Sequence, residues 1–369
     1  MPPARTARTT KTTASRPRQS SPSDEQLRAL HRQMVLIRRF EERAARAYAE
    51  AKVGGYCHLN LGEEATVVGL MAALEKSDYV YANYREHGYA LARGISPERA
   101  MAELYGRTDG VSRGWGGSMH MFDLDSRFMG GYGIVGGQIP LATGTALAID
   151  YRGGTEAVMC LMGDGTTNIG AFHESLNIAA LWGLPIVYVV NNNGLGMGTT
   201  VEQSSAEPEL YKRASSYRMA SARVDGGDPV AVLDAARIAL ASARAGRPYL
   251  LETMTGRMKG HSVVDPARYR SEDERAAARA ADPVANFAAS LRERGVLGEG
   301  EIEKIDAEIT ADVAAAAAFA DASPEPDVST LFDYTYATPV PNDSRRLPGH
   351  ALFPAPPRPH DLVSAGGVR

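Results

Sequence analysis

Two stretches decide the fold of this chain, Ala157-Val-Met-Cys-Leu-Met162 running into Gly163-Asp164-Gly165, and Pro185-Ile-Val-Tyr-Val-Val190 running into Asn191-Asn192-Asn193. Each is a short unbroken apolar run of the kind that forms a strand buried on both faces of a parallel sheet. Between them, Ala171 to Leu181 has helical character. Strand, helix, strand at this spacing predicts a right-handed crossover. Outward on the C-terminal side the rhythm continues, with a helix expected over Pro229 to Ala245 and a strand over Tyr249 to Met254. The expected class is α/β, an open doubly wound, mostly parallel sheet with helices on both faces and helical extensions at either end.

The N-terminal extension begins after Ser23-Asp24, where Leu27, Leu30, Met34, Ile37 and Phe40 recur at helical spacing. A second helix is expected from Gly62 to Leu74, opened by Glu63 and Glu64, where the helix dipole favours acids. From Gly106 to Gly144 glycine is dense and periodicity vanishes, so a long functional loop is expected. Ser271 to Ala322 is Ala-rich, charged and helical, with Asp282-Pro283 as a helix start. The expected organisation is a basic arm over 1–23, an α/β domain over 24–336 and a Pro-rich tail over 337–369.

The arm holds five basic residues and no acid but lacks the apolar residues of an amphipathic transit helix, which points to a bacterial cytoplasmic protein over a mitochondrial-matrix one. A formal net charge of −4 argues against nucleic acid as a partner, and no apolar run is long enough to span a membrane. Cys57 and Cys160 have no metal-ligand or disulfide spacing.

In an open α/β sheet ligands bind beyond the carboxyl ends of the strands. Asp164 and the Asn191–Asn193 run should meet there, and Asp and Asn oxygens suit magnesium, which keeps phosphate oxygens and waters among its ligands. Gly165, Thr166 and the start of the following helix would offer backbone N–H groups to phosphate. Either tripeptide alone reads more readily as a plain tight turn or loop, because such tripeptides are common. Together they imply a magnesium–diphosphate site.

The separation of Asp164 and Asn193 by 29 residues, with one helix between, resembles the thiamine-diphosphate fingerprint. Further segments are similar to the alpha subunits of heterotetrameric 2-oxoacid dehydrogenases: Tyr56-Cys-His-Leu, Gly62-Glu-Glu-Ala, Tyr84-Arg-Glu-His-Gly, Gly116-Gly-Ser-Met-His-Met, Gly130-Gly-Tyr-Gly-Ile-Val-Gly and Gly260-His-Ser. They follow the family's order over roughly residues 25 to 336.

The resemblance implies thiamine diphosphate and Mg2+ as cofactors. Asp164, Asn193 and the main-chain oxygen of Leu195 would coordinate the metal, the last tolerating Leu where the family often has Tyr. Tyr84 and Arg85 would bind the diphosphate with Gly163, Gly165, Thr166 and His261; Gly133 and Val135 would face the aminopyrimidine. His58 and His261 would line the substrate pocket and shuttle protons. Arg257 and Lys259 keep the segment before His261 cationic. His87, His120 and His173 read as structural, and Glu174 as a helix-surface or interface acid.

The activity implied is that of an oxidoreductase acting on an oxo group with a disulfide acceptor. Pyruvate would be oxidatively decarboxylated and a lipoyl group on a dihydrolipoamide acyltransferase acetylated. The Gly-Ile-Val-Gly and Gly-Gly-Ser-Met-His segments look more like the pyruvate group than the branched-chain one; acetoin is the rival substrate, and a non-catalytic scaffold the rival role. The resemblance also implies a beta subunit in an alpha2-beta2 heterotetramer. As the resemblance implies, that subunit would supply the activating carboxylate; Glu63 and Glu64 fall at a helix start, where acids are favoured for dipole reasons.

Overall fold

The computed structural model describes residues 21–331. Most of the expected basic arm and all of the expected Pro-rich tail lie outside them.

Six strands form the central sheet: β1 (Tyr79–Asn83), β2 (Phe128–Tyr132), β3 (Val158–Gly163), β4 (Ile186–Asn192), and, after a two-residue hairpin of β5 (Leu195–Gly196) and β6 (Thr199–Thr200), β7 (Ala220–Asp225) and β8 (Tyr249–Met254). The order is β2-β1-β3-β4-β8-β7 and every pairing within it is parallel. The chain moves outward from β1 to β2, then returns to place β3 on the other side of β1. This reversal makes a crevice beyond the carboxyl ends of β1 and β3.

The helices are α1 (Asp24–Ala49), α2 (Glu64–Ala72), α3 (His87–Ala92), α4 (Pro97–Leu104), α5 (Gln138–Arg152), α6 (Gly170–Trp182), α7 (Val201–Ser204), α8 (Pro229–Arg244), α9 (Glu272–Ala280), α10 (Pro283–Glu293) and α11 (Glu299–Ala322). Ser23 starts α1 through a reciprocal cap, its hydroxyl accepting from Gln26 N at 3.2 Å while Ser23 N donates to Gln26 Oε1 at 3.0 Å. Asp282 caps α10 ahead of Pro283.

The alternation of strand side chains divides the core. Met159, Leu161, Val187 and Val189 pack into one buried cluster with α1, α2, α4, α8 and α11. Val158, Cys160, Met162, Ile186, Tyr188 and Val190 pack into a second with α5 and α6. Both faces of β3 and β4 are therefore covered, which is why their sequences are apolar throughout. Both cysteines are buried and free.

The structure adds β1 and β7, which the sequence reading does not name as strands, and departs from that reading in one loop. The expected loop from Gly106 to Gly144 contains β2 and the first turns of α5. Phe128-Met-Gly-Gly-Tyr132 has no β-branched residue, and its strand conformation comes from pairing with β1 at the sheet edge. The loop before it is organised by one buried carboxylate, Glu103, which accepts from the backbone N–H groups of Ser112, Gly114, Gly116 and Gly117 at 2.7–3.0 Å. β3 runs into a 3-10 turn over Asp164–Asn168, which carries the N–H groups beside Asp164, and α6 starts at Gly170, one residue before the expected Ala171. Glu63 and Glu64 stand at the start of α2 as expected, and both are buried, at 2% and 0% exposure. Glu64 is paired with Arg38 at 2.7 Å.

Candidate cofactor and active site

The strand register delivers the site. β3 pairs with β4 so that Gly163 lies opposite Asn191. Asp164 and Asn193 thus leave the sheet as neighbours. The other parallel strands deliver at the same edge: Tyr84 and Arg85 after β1, Gly133 and Val135 after β2, Arg257 and His261 after β8. His58 comes from the extended segment between α1 and α2.

Two adjoining cavities result. A polar one of about 310 Å³ is lined by Glu63, Tyr84, Arg85, Val135, Gly163, Asp164, Gly165, Thr166, Asn191, Asn193, Leu195, Arg257 and His261, among others. A wider one of about 690 Å³ is lined by His58, Tyr84, Gly133, Val135, Met197 and His261, with Tyr56, Ser262, Val264, Asp265 and Tyr269 toward its mouth. Tyr84, Val135, Met197 and His261 belong to both. Every site residue named from the sequence lines one cavity or the other.

The three asparagines do not act alike. Asn191 donates to the Tyr89 hydroxyl and accepts from Thr253 Oγ1 at 3.0 Å. Asn192 turns away, donating to the buried Glu252 at 2.7 Å and accepting from Gly194 N at 2.9 Å. Asn193 faces the cavity, its amide nitrogen on Glu63 Oε1 at 3.3 Å and its oxygen on Leu195 N at 3.3 Å.

Asp164 is only 5% exposed, and burial pushes its carboxyl up to about 6. A buried carboxylate raised in this way is one that a divalent cation would stabilise. With Asn193 Oδ1 and the Leu195 carbonyl, which line the same cavity, it could make an all-oxygen donor set. Among the described residues no three His, Cys, Asp or Glu side chains converge on a metal position. Mixed donors of this kind suit Mg2+, which retains phosphate and water ligands. The Leu195 carbonyl also accepts from Arg257 Nη1 at 3.3 Å, and its second lone pair remains for a cation.

Arg85 is buried and largely engaged. Nη1 donates to Leu59 O at 2.6 Å, Nη2 to His261 O at 2.9 Å, and Nε stands 3.7 Å from Glu63 Oε1. Arg257, equally buried, donates to Met197 O at 2.9 Å and the Tyr269 hydroxyl at 2.8 Å, while its Nε has no partner. Arg257 and Glu63 also line the cavity. The sequence reading gives Arg257, with Lys259, as a cation that lets phosphate binding survive, and Glu63 as a helix-start acid; its place in the matched Gly62-Glu-Glu-Ala segment is the signal that could have found it as a cavity residue.

His58, Tyr84 and His261 form an aromatic cluster, with ring centroids 4.5 Å apart for His58–Tyr84 and 5.7 Å for Tyr84–His261. Burial, and then the Arg85 guanidinium, pulls His58 down to about 3 and His261 to about 4. Both imidazoles are therefore neutral at pH 7, and Nδ1 of each is buried without a partner. His87 is structural, bonded by Nδ1 to Glu41 at 2.9 Å and by Nε2 to Ser118 Oγ at 2.8 Å. His120 and His173 bond Gly131 O and the Tyr217 hydroxyl, and Glu174 is exposed on α6.

A sequence model of the family described as dehydrogenase E1 component matches residues 32–329. The chain belongs to that family. It is 47% identical over 304 residues to a protein of Rhizobium meliloti, covering 82% of this chain and 87% of the relative. It is 44% identical over 311 residues to one of Zymomonas mobilis, covering 84% and 88%. A Porphyra purpurea protein is 39% identical over 319 residues, with 84% and 93% covered. Each of these relatives is named pyruvate dehydrogenase E1 component subunit alpha.

Proposed function

We propose that this chain is the alpha subunit of a pyruvate dehydrogenase E1 component. With a beta subunit it would oxidatively decarboxylate pyruvate and acetylate a lipoyl group on a dihydrolipoamide acyltransferase. Members of the dehydrogenase E1 family depend on thiamine diphosphate. The carrying observation is the meeting of Asp164 and Asn193 with two arginines in one buried cavity that opens into a histidine-lined one.

Asp164, Asn193 and the Leu195 carbonyl would hold Mg2+. The diphosphate would lie against the Gly165–Thr166 backbone, Tyr84, Arg85, Arg257 and His261, and the aminopyrimidine against Gly133 and Val135. When bound, the cofactor supplies a nucleophilic carbon and an electron sink for decarboxylation. The protein contributes position and electrostatics. Neutral His58 and His261 can exchange a proton with a bound 2-oxoacid without fixing a permanent charge in the cavity.

A partner chain accounts for what the site lacks. Among the described residues Asp265 is the one carboxylate lining the wider cavity, and it is engaged by His261 N at 2.7 Å, the Tyr269 hydroxyl at 2.6 Å and Ala267 N at 2.8 Å. A carboxylate from the beta subunit would then activate the pyrimidine. Among the residues lining the wider cavity, Tyr56 (64%), Met197 (60%), Val264 (56%) and Val135 (48%) expose apolar surface of the kind a subunit interface covers. Among the described residues no helix is long and apolar enough to cross a membrane. With two buried free thiols, a reducing cytoplasmic setting fits.

The test is pyruvate-dependent reduction of an artificial electron acceptor with Mg2+ and thiamine diphosphate, with and without the beta subunit. Activity only in the mixture is the expected result. Turnover by the chain alone would remove the divided site. Preference for acetoin or a branched 2-oxoacid in kcat/KM would keep the cofactor and change the substrate.

A further inference from the structure

Glu63 is the residue at the polar cavity that the proposed chemistry leaves unused. It sits just ahead of α2, and its carboxylate is 2% exposed. Oε2 accepts from Asn60 Nδ2 at 3.1 Å, and Asn60 is itself fixed by its Oδ1 on Gly88 N at 2.9 Å. Oε1 accepts from Asn193 Nδ2 at 3.3 Å and lies 3.7 Å from Arg85 Nε. One carboxylate thus touches both a proposed metal ligand and a proposed diphosphate ligand.

The two contacts have separate consequences. A carboxylate only accepts hydrogen bonds, so Glu63 dictates which end of the Asn193 amide faces it: the nitrogen. The Asn193 oxygen is thereby kept on the other side, for Leu195 N and a cation. The second consequence is electrostatic. The charged side chains lining the cavity are Glu63 and Asp164 against Arg85 and Arg257. Two carboxylates against two guanidiniums leave no surplus positive charge for a diphosphate. With Nη1 and Nη2 on carbonyl oxygens and Nε beside Glu63, Arg85 is also partly spent before any ligand arrives. In a buried cavity an anion brought in without compensation is strongly disfavoured.

We propose that Glu63 is a positioning residue that couples diphosphate binding to the divalent cation: it orients Asn193 toward the metal and cancels the charge of Arg85, so that the diphosphate enters only as its metal complex. This rests on the thiamine-diphosphate reading and adds to it a cause for metal dependence in one named side chain. Metal and diphosphate binding are then linked, and the linkage is reciprocal.

The experiment measures the dissociation constant of thiamine diphosphate for the chain assembled with its beta subunit, by calorimetry, in saturating Mg2+ and in EDTA. Mn2+ affinity is read separately by electron paramagnetic resonance. Wild type should lose more than about 30-fold in affinity on metal removal. In Glu63→Gln that ratio should fall by about tenfold, chiefly because metal-free binding tightens once Arg85 is released. Glu63→Asp keeps the charge but shortens the reach to Asn193, so it should preserve the ratio while weakening Mn2+ binding. An unchanged ratio in Glu63→Gln, with the fold checked by circular dichroism, overturns the coupling role. If Glu63→Gln does not fold, wild type and Glu63→Asp decide: metal-independent binding by wild type, or a collapsed ratio in Glu63→Asp, overturns the role. Failure of wild type to bind thiamine diphosphate even with Mg2+ overturns the cofactor reading itself, a result distinct from all of these.

Discussion

The imidazoles of His58 and His261 meet edge to face, with ring centroids 5.1 Å apart, although 203 positions separate them in the chain. Two adjacent imidazoles beside buried arginines cannot both carry a proton cheaply, and burial and Arg85 hold each below its ordinary value.

The sign of the resulting pH dependence follows. An unfolded chain protonates these histidines near 6.5, whereas the folded chain does so only at about 3 and about 4. Between roughly 4 and 6.5 the unfolded state binds more protons, so stability rises with pH there. The contribution is complete above 6.5 and is lost as pH falls toward the folded values. Urea midpoints measured from pH 4 to 7 should depend less steeply on pH in His261→Gln than in wild type. Parallel curves would show that burial does not hold this ring neutral.

Asp164→Asn should separate stability from binding. The carboxylate is buried and raised by burial, so removing its charge in the ligand-free protein should hold or raise the melting temperature. Loss of a metal ligand should weaken thiamine diphosphate by more than about 100-fold, beyond the cost typical of an outer-shell partner. Calorimetry beside a thermal melt reads both. Unchanged cofactor affinity would move the metal site elsewhere.

Glu41 supports the site from beneath. Its oxygens accept from Asn60 N and His87 Nδ1, each at 2.9 Å, and all three residues are buried. Glu41→Ala would strand two donors at about 1–3 kcal/mol each, which gives a loss of about 2–6 kcal/mol by chemical denaturation. Because Asn60 holds Glu63, metal affinity should weaken as well. A loss below about 1 kcal/mol would mean that water or a rearranged side chain satisfies those donors.

Gly62 holds two loops together. Its φ is +97°, and a Cβ there would stand 2.2 Å from Gly256 O. Gly62→Ala should therefore add backbone strain of about 1–3 kcal/mol and push the Arg257–His261 segment outward. Both a lower melting temperature and a raised KM for thiamine diphosphate are expected. A normal KM with lowered stability would show that the segment closes over the cofactor independently of this contact.

The sequence alone determined the class of the sheet, three of its six strands (β3, β4 and β8) and the two strand ends that bear Asp164 and Asn193. β3 and β4 are covered on both faces, so their apolar runs admit no solvent-facing alternative, and the glycine and asparagine runs that stop them mark the ligand edge. It also carried the family, through segments spread from Tyr56 to His261. Tertiary structure decided the rest. β2 exists because β1 offers it a ladder, which Phe128-Met-Gly-Gly-Tyr132 does not announce by propensity. Glu63 reads from the sequence as a helix-start acid, which it is, but its burial and its contacts with Asn193 and Arg85 come from packing, where Gly62 lets the chain pass close to Gly256. Local patterns report burial and backbone preference; which charges share a cavity depends on contacts between residues far apart in the chain, and only the packed molecule brings those together.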